Sequence, residues 1–253
     1  MGMEVIFSFY SKYDEFDYWT GQYRENNLMF MELAIKLARQ FYPVTMYTDE
    51  KQAKRFKHLV DDIKILNTQG SKYKIWSQAK FEAIERHEGT FLHLDGDLFL
   101  DEKLNIPDGD IYYDHTETTL YESYYKHNLE LFDKEGIKKV FPEWTKNYTG
   151  AYNIGALGFK NNSIKELYLD RYYRQLDWLY NELPIEKHHG VTSMTIGEHS
   201  LACIANHHNL TGVPLAEHNG YLHMFSSRKH LPAFVNFVRE YNKKEFRKYY
   251  ELH

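Results

Sequence analysis

Phe91-Leu92-His93-Leu94-Asp95-Gly96-Asp97-Leu98-Phe99-Leu100 (residues 91–100) sets two carboxylates one glycine apart, with apolar residues on both sides. Like charges in an apolar setting are costly unless a cation neutralises them. The glycine lets the chain turn tightly and a bulky ligand approach. Carboxylate oxygens suit Mg²⁺ or Mn²⁺, which complete their shell with phosphates and water. The plainer alternative is an ordinary Asp-Gly turn. Because Thr90 to Leu94 reads as a buried strand, the pair is expected at a strand's carboxyl end.

The residues before that strand alternate in type. Glu4 to Tyr10 predicts a strand, Asn27 to Gln40 a helix (Leu28, Met31, Ile35 and Ala38 at helical spacing), and Val44 to Thr48 a strand after Pro43. A short helix over Ala53–Leu59, a strand over Asp62–Leu66 and a helix over Trp76–His87 follow. Such alternation predicts an α/β fold with a mostly parallel sheet flanked by helices. Ligands of open sheets of this kind bind beyond the carboxyl ends of the strands, which is where Asp95 and Asp97 fall.

After residue 100 the pattern is less regular. Strands are expected at Ile111–Tyr113 and, after a turn, within Asn153–Phe159. Helices are expected at Tyr121–Phe132, Ile164–Leu183, Glu198–Asn206 and, basic and aromatic, at Phe234–Tyr250. There is no internal repeat, low-complexity tract or Gly/Ser/Pro-rich linker, so a single domain over residues 1–253 is expected. The change in regularity near residue 100 divides it into halves of about 1–100 and 101–253.

Hydrophobic residues make up 43% of the chain, enough for a real core and against disorder. The net charge of −5 gives no sign of a protein that lives on nucleic-acid phosphate. The single cysteine, Cys203, excludes an internal disulfide and sits in an apolar run, as a buried small hydrophobe would. The start has no signal-peptide pattern, and no run approaches the roughly 20 apolar residues of a membrane span. A cytoplasmic location is the expectation.

An ordered set of motifs resembles the GT-A glycosyltransferases, in particular the small bacterial and viral branch akin to glycogenin and lipopolysaccharide sugar transferases. It comprises the strand–helix–strand ending in Tyr47-Thr48-Asp49, Trp76-Ser77-Gln78-Ala79-Lys80 opening a helix, and Leu94-Asp95-Gly96-Asp97 in place of the family's DxD. Tyr152-Asn153-Ile154-Gly155-Ala156-Leu157-Gly158-Phe159 then resembles an N-x-G strand, and Gly197-Glu198-His199-Ser200-Leu201-Ala202 an acidic helix start. His223 with Lys229 six residues on resembles the terminal H-x-x-G-x-x-K, with Ser226 where the family has glycine.

The resemblance implies a Rossmann-like GT-A fold and a metal-dependent transfer of sugar from a nucleoside-diphosphate sugar, a UDP-sugar by preference, with retention of configuration. It implies Mn²⁺ or Mg²⁺ held by Asp95, Asp97 and His223. A neutral imidazole is a suitable third ligand from a distant part of the chain. Lys229 would set a compact positive charge on the diphosphate, and Asp97, Glu198 and Lys229 form the expected catalytic set. Donor contacts are expected from Ser8, Tyr10, Asp49, Lys80, Asp95, Gly96, Asn153, Gly155 and Lys229. Core packing remains open for Tyr10, helix capping for Asp49 and a surface helix charge for Lys80. The acceptor is open among a glycan, a lipid-linked sugar, a protein and a modified nucleic acid. The basic, aromatic C-terminal stretch reads as a solvated helix face with its aromatic side packed down, with contact to an anionic membrane surface as the functional alternative. A nucleotidyltransferase and a non-catalytic carbohydrate-binding protein on the same fold are the alternatives. The former would want a glycine-rich basic loop after the first strand, where Ser8-Phe9-Tyr10-Ser11-Lys12-Tyr13 has one lysine and no glycine.

Overall fold

A computed structural model describes residues 2–10, 24–66, 77–118, 125–145, 150–182, 195–224 and 232–250. The first half alternates as its sequence predicts: β1 (Glu4–Phe9), α1 (Arg24–Ala38), β2 (Val44–Thr48), α2 (Glu50–Phe56), β3 (Asp62–Ile65), α3 (Gln78–Arg86) and β4 (Phe91–Leu94). The second half holds β5 (Leu98–Leu100), β6 (Ile111–Tyr113), β7 (Thr116–Glu117), α4 (Lys126–Glu135), β8 (Ala151–Tyr152), β9 (Ala156–Phe159) and α5 (Asn162–Glu182). A turn of π-helix over Thr195–His199 then leads into α6 (Ser200–His207), β10 (Gly212–Pro214), β11 (Tyr221–His223) and α7 (Pro232–Tyr250).

Seven strands form the central sheet in the order β10-β6-β9-β4-β1-β2-β3. β9 runs against both its neighbours, β4 and β6, and every other pairing is parallel. From β1 the chain winds outward through β2 and β3, then crosses back to lay β4 on β1's other side. Strand order therefore reverses between β1 and β4, and in open sheets ligands bind in the crevice outside the carboxyl ends at such a point. Asp95-Gly96-Asp97 follows β4 directly at that edge.

Strand alternation sends side chains to two cores, one on each face of the sheet. Val5, Phe7, Val44, Met46, Leu92 and Leu94 pack with α1, α2 and α7. Ile6, Tyr47, Phe91, Leu157 and Phe159 pack with α3, α4, α5 and α6. Helix ends differ from expectation by a few residues, for local reasons. Asp49 Oδ1 accepts the Gln52 backbone N–H at 3.0 Å, so α2 starts at Glu50 rather than Ala53. Gly136, at φ 84°, closes α4 in the left-handed conformation that glycine tolerates best. Leu98–Leu100 is more than an apolar flank of the acidic pair: as β5 it pairs antiparallel with β11, setting Leu98 opposite His223. That ladder joins the C-terminal part of the chain to the acidic turn.

The π-helical turn carries His199 into the interior. Its ring is fully buried, with Nε2 2.9 Å from the Thr145 carbonyl and 3.3 Å from Cys203 Sγ. Burial lowers the imidazole to about 4 and pushes the Cys203 thiol up to about 12, in keeping with an inert buried thiol. The unfolded chain takes up a proton at His199 near pH 6.5 and the folded chain does not. His199 therefore contributes its full stability above about pH 6.5, and that contribution is lost as pH falls toward 4. The expected loss is on the order of 2–3 kcal/mol. Chemical denaturation between pH 7 and 4 checks this: the slope should be shallower in His199→Gln by that amount, and an unchanged slope would show that His199 protonates freely in the fold.

Candidate active site

The turn after β4 is tight. Leu98 N–H donates to the Asp95 carbonyl at 3.1 Å, and Asp95 N–H donates to Gly155 O at 2.7 Å, tying the turn to the start of β9. A Cβ at Gly96 would lie 2.5 Å from Met31 Cε, so Met31 of α1 packs into the space that residue 96 leaves open. The acidic turn is thus bonded to the start of β9 and packed by α1.

Lys80 projects from α3 to this point. Its ammonium is 2.6 Å from Asp95 Oδ1 and donates to Ile154 O at 2.8 Å, with the side chain only 5% exposed. Of the two roles expected for Lys80, the surface helix charge is excluded: the lysine is buried against the acidic turn. Burial pushes the Asp95 carboxyl above its ordinary range; Lys80 opposes that shift and Asp97 adds to it.

His223 arrives from β11. Its Nε2 is 3.6 Å from Asp97 Oδ1, and its Nδ1 is 2.5 Å from Asp114 Oδ2. Asp114, just after β6, is 1% exposed and accepts from Tyr221 Oη at 2.5 Å and from His115 Nδ1 at 2.9 Å. Burial alone would raise the Asp114 carboxyl, but its bonds to His115 and His223 hold it well below the usual carboxylate range. Burial likewise works against a charged His223, yet the hydrogen bonds to Asp114 and Asp97 and their charges outweigh it and raise the imidazole to about 10.

Asn153 organises the approach to β9. Its Oδ1 accepts Gly155 N–H at 2.8 Å and its Nδ2 donates to Glu117 Oε1 at 2.9 Å. Glu117 also meets His115 Nε2 at 3.1 Å. A Cβ at Gly155 would stand 2.3 Å from His223 Cε1, so the imidazole occupies space that only glycine leaves open.

Donor atoms of Asp95, Asp97 and His223 lie within 4.8 Å of one another. Two carboxylates and an imidazole whose other nitrogen is already engaged make a set that fits a divalent cation and leaves coordination positions for phosphate. Asp114, His115 and His223 form a second close group. There the donor atoms are already hydrogen-bonded to one another.

The remaining expected residues are distributed around this centre. Ser8 Oγ, on β1, is 2.8 Å from His93 Nε2. Tyr10 is 6% exposed within the core on the α3 side, the packing alternative for this ring. Asp49 caps α2. Glu198 sits in the π-helical turn, 5% exposed, with Tyr125 Oη donating to its carboxylate. Burial raises it to about 7, against the opposing bonds from Tyr125 and the Ile154 backbone. Lys229, Trp76 and Tyr13 lie outside the described residues.

Sequence reasoning passed over Asp114, His115, Glu117 and Tyr221. A signal for Asp114 was present: like Asp95, it is an acidic residue directly after a short, wholly buried strand. Both strands run the same way, so both carboxylates emerge at the same edge of the sheet.

No protein-family model matches the sequence, and no curated protein matches it. Similar solved structures include the glycosyltransferase GlyE of Streptococcus pneumoniae TIGR4, 12% identical over 77% of this chain, with a TM-score of 0.44. The chain spans 42% of GlyE's length. Mouse xyloside xylosyltransferase 1 in its apo form is 11% identical over 85% of this chain and 78% of its own, with a TM-score of 0.35.

The close packing of Gly155 and His223 gives a direct test. Gly155→Ala should force the imidazole away from Asp114 and cost about 1–3 kcal/mol of stability. Histidine-selective ¹⁵N NMR with denaturant titration reads both effects. An unshifted His223 Nδ1 resonance at unchanged stability would contradict the packing described.

Proposed function

We propose that the chain is a divalent-metal-dependent glycosyltransferase of the GT-A type, moving a sugar from a nucleoside-diphosphate sugar to a hydroxyl acceptor with retention. The observation that carries this reading is the convergence of Asp95, Asp97 and His223, from opposite ends of the sequence, at the crevice where strand order reverses. A uridine diphosphate donor with Mn²⁺ or Mg²⁺ is the preferred form, on the motif resemblance alone.

A bound divalent cation would neutralise the charge that grows on the departing diphosphate. The protein's own part is positional. Asp95 and Asp97 present oxygens to one point, and Lys80 restrains Asp95 so that the pair need not rearrange during the reaction. His223 offers Nε2 toward Asp97, with Nδ1 tied back to Asp114. Lys229 would reinforce the diphosphate. The acceptor hydroxyl would approach the face the diphosphate leaves, and a donor phosphate oxygen would take its proton. Glu198, whose carboxyl burial raises to about 7, then need not act as a strong base.

The acceptor is a glycan, a lipid-linked sugar, a protein or a modified nucleic acid. Peripheral membrane contact through α7 belongs to the same proposal: α7 carries Arg239, Lys243, Lys244, Arg247 and Lys248, and Phe237 is 57% exposed on it. The competing nucleotidyltransferase reading finds no glycine-rich basic loop behind β1 in the sequence.

A panel of sugar nucleotides with Mn²⁺, read by release of free nucleoside diphosphate, tests the proposal. One donor should be hydrolysed slowly, the activity should vanish in chelator and return with Mn²⁺, and Asp97→Ala should lower it by roughly 10²-fold or more with folding intact. Full turnover in chelator would remove the metal from the mechanism. With an acceptor in hand, proton NMR of the product from an α-linked donor should show an α-linkage, and Glu198→Gln should keep measurable turnover. A β-linked product would overturn retention alone.

A further inference from the structure

We infer that Asp114 is the positioning residue of the cation site, fixing the tautomer and ring orientation of His223 so that Nε2 faces Asp97. The inference rests on the metal-dependent reading above and assigns a role to a residue outside the set that the sequence motifs mark.

Three features of the geometry support it. First, Asp114 is 1% exposed, and its carboxylate meets His223 Nδ1 at 2.5 Å. Facing a carboxylate, Nδ1 must carry a proton, so Nε2 is the nitrogen that would give up its own proton and offer a lone pair to a cation. Nε2 is the nitrogen on the Asp97 side. Second, the other Asp114 oxygen accepts from Tyr221 Oη at 2.5 Å. Tyr221 and His223 are two apart on β11 and so share one face, and one carboxylate grips both. Rotation of the imidazole is thereby tied to the seat of the whole strand. Third, Asp114 is itself held: its backbone N–H donates to Asn153 O at 2.9 Å, its carbonyl accepts Ala216 N–H at 2.9 Å, and His115 Nδ1 lies 2.9 Å from Oδ2. Gly155 leaves room for the Cε1–Nδ1 edge of the ring, which a Cβ there would overlap. The ring is therefore held in this orientation by Asp114 on one atom and by packing beside it.

A partner carboxylate behind a ligating imidazole fixes its orientation and raises its basicity, and losing such a partner typically weakens metal binding about 10–100-fold. Asp114 does this without reaching the cation, so its removal should change how the cation is held, not merely whether the protein folds.

The test uses Mn²⁺ alone, added to the full chain, with affinity from the free-Mn²⁺ electron paramagnetic resonance signal and ¹⁴N coupling from electron spin echo modulation. Wild-type protein should bind Mn²⁺ with a directly coordinated imidazole nitrogen, a signal that His223→Ala removes. Asp114→Ala should bind about 10–100-fold more weakly and lose the nitrogen coupling. Asp114→Asn, which keeps the volume and one acceptor oxygen, should keep the coupling and lose about tenfold in affinity. Tyr221→Phe should keep the coupling, because it leaves the Asp114–His223 bond in place. Asp114→Ala that is folded by circular dichroism and has wild-type coupling and affinity would overturn the inference while leaving the metal site intact. Should Asp114→Ala fail to fold, wild-type affinity in Asp114→Asn would overturn it equally. Wild-type protein without Mn²⁺ binding would overturn both this inference and the metal-dependent reading.

Discussion

Asp95 and Asp97 hold two negative charges in one partly buried notch, and the rest of the site is arranged around their repulsion. Like charges this close to an apolar interior are tolerated only where positive charge and hydrogen-bond donors offset them. Lys80 reaches Asp95 from α3, His223 reaches Asp97 from β11, and Gly155 O receives the Asp95 backbone N–H from the start of β9. Each partner lies on a different element. The turn thus fixes where α3, β9 and the β5–β11 ladder meet.

The sheet makes that meeting possible. The reversal between β1 and β4 opens the crevice, and the single antiparallel strand, β9, brings Asn153 and Gly155 to the same edge as the carboxyl ends of its neighbours. A strand running the other way would have put its loop at the far edge, 156–159 being preceded there by the wrong end of the chain. Small residues then set the spacing. Gly96 admits Met31 and Gly155 admits His223, so the packing of α1 and of β11 is felt at the acidic turn. Charge and shape meet here: displacing His223 from Gly155 would move the partner of both Asp97 and Asp114.

How much of this was legible in the sequence follows from how local each signal is. The helix and strand order to Leu94 was readable, because hydrophobic periodicity and a Pro43 or Asp49 boundary are written in adjacent residues. Asp95, Asp97 and the distant His223 were legible as chemistry, through residue types and a motif order, and the fold brings them together. Lys80 was ambiguous, since a helix-face lysine looks the same whether it meets water or a buried carboxylate. Asp114 and Tyr221 were missed because their meaning is a meeting between β6 and β11, about a hundred residues apart. The β5–β11 ladder was missed for a related reason: three-residue strands carry too little pattern to separate from the apolar flank of a turn. Glu198 was expected at a helix start, yet the wide turn that buries it depends on Tyr125 and Ile154 around it.

The proposed cation would be held by Asp95, Asp97 and His223 together. Anomalous diffraction from crystals grown with Mn²⁺ and uridine diphosphate tests it most directly. One dominant anomalous peak should lie at bonding distance from a carboxylate oxygen of each aspartate and from His223 Nε2, with diphosphate oxygens beside it and Asp114 at the Nδ1 end of the imidazole. A peak elsewhere, or diphosphate bound in the crevice with no peak beside Asp95 and Asp97, would contradict it.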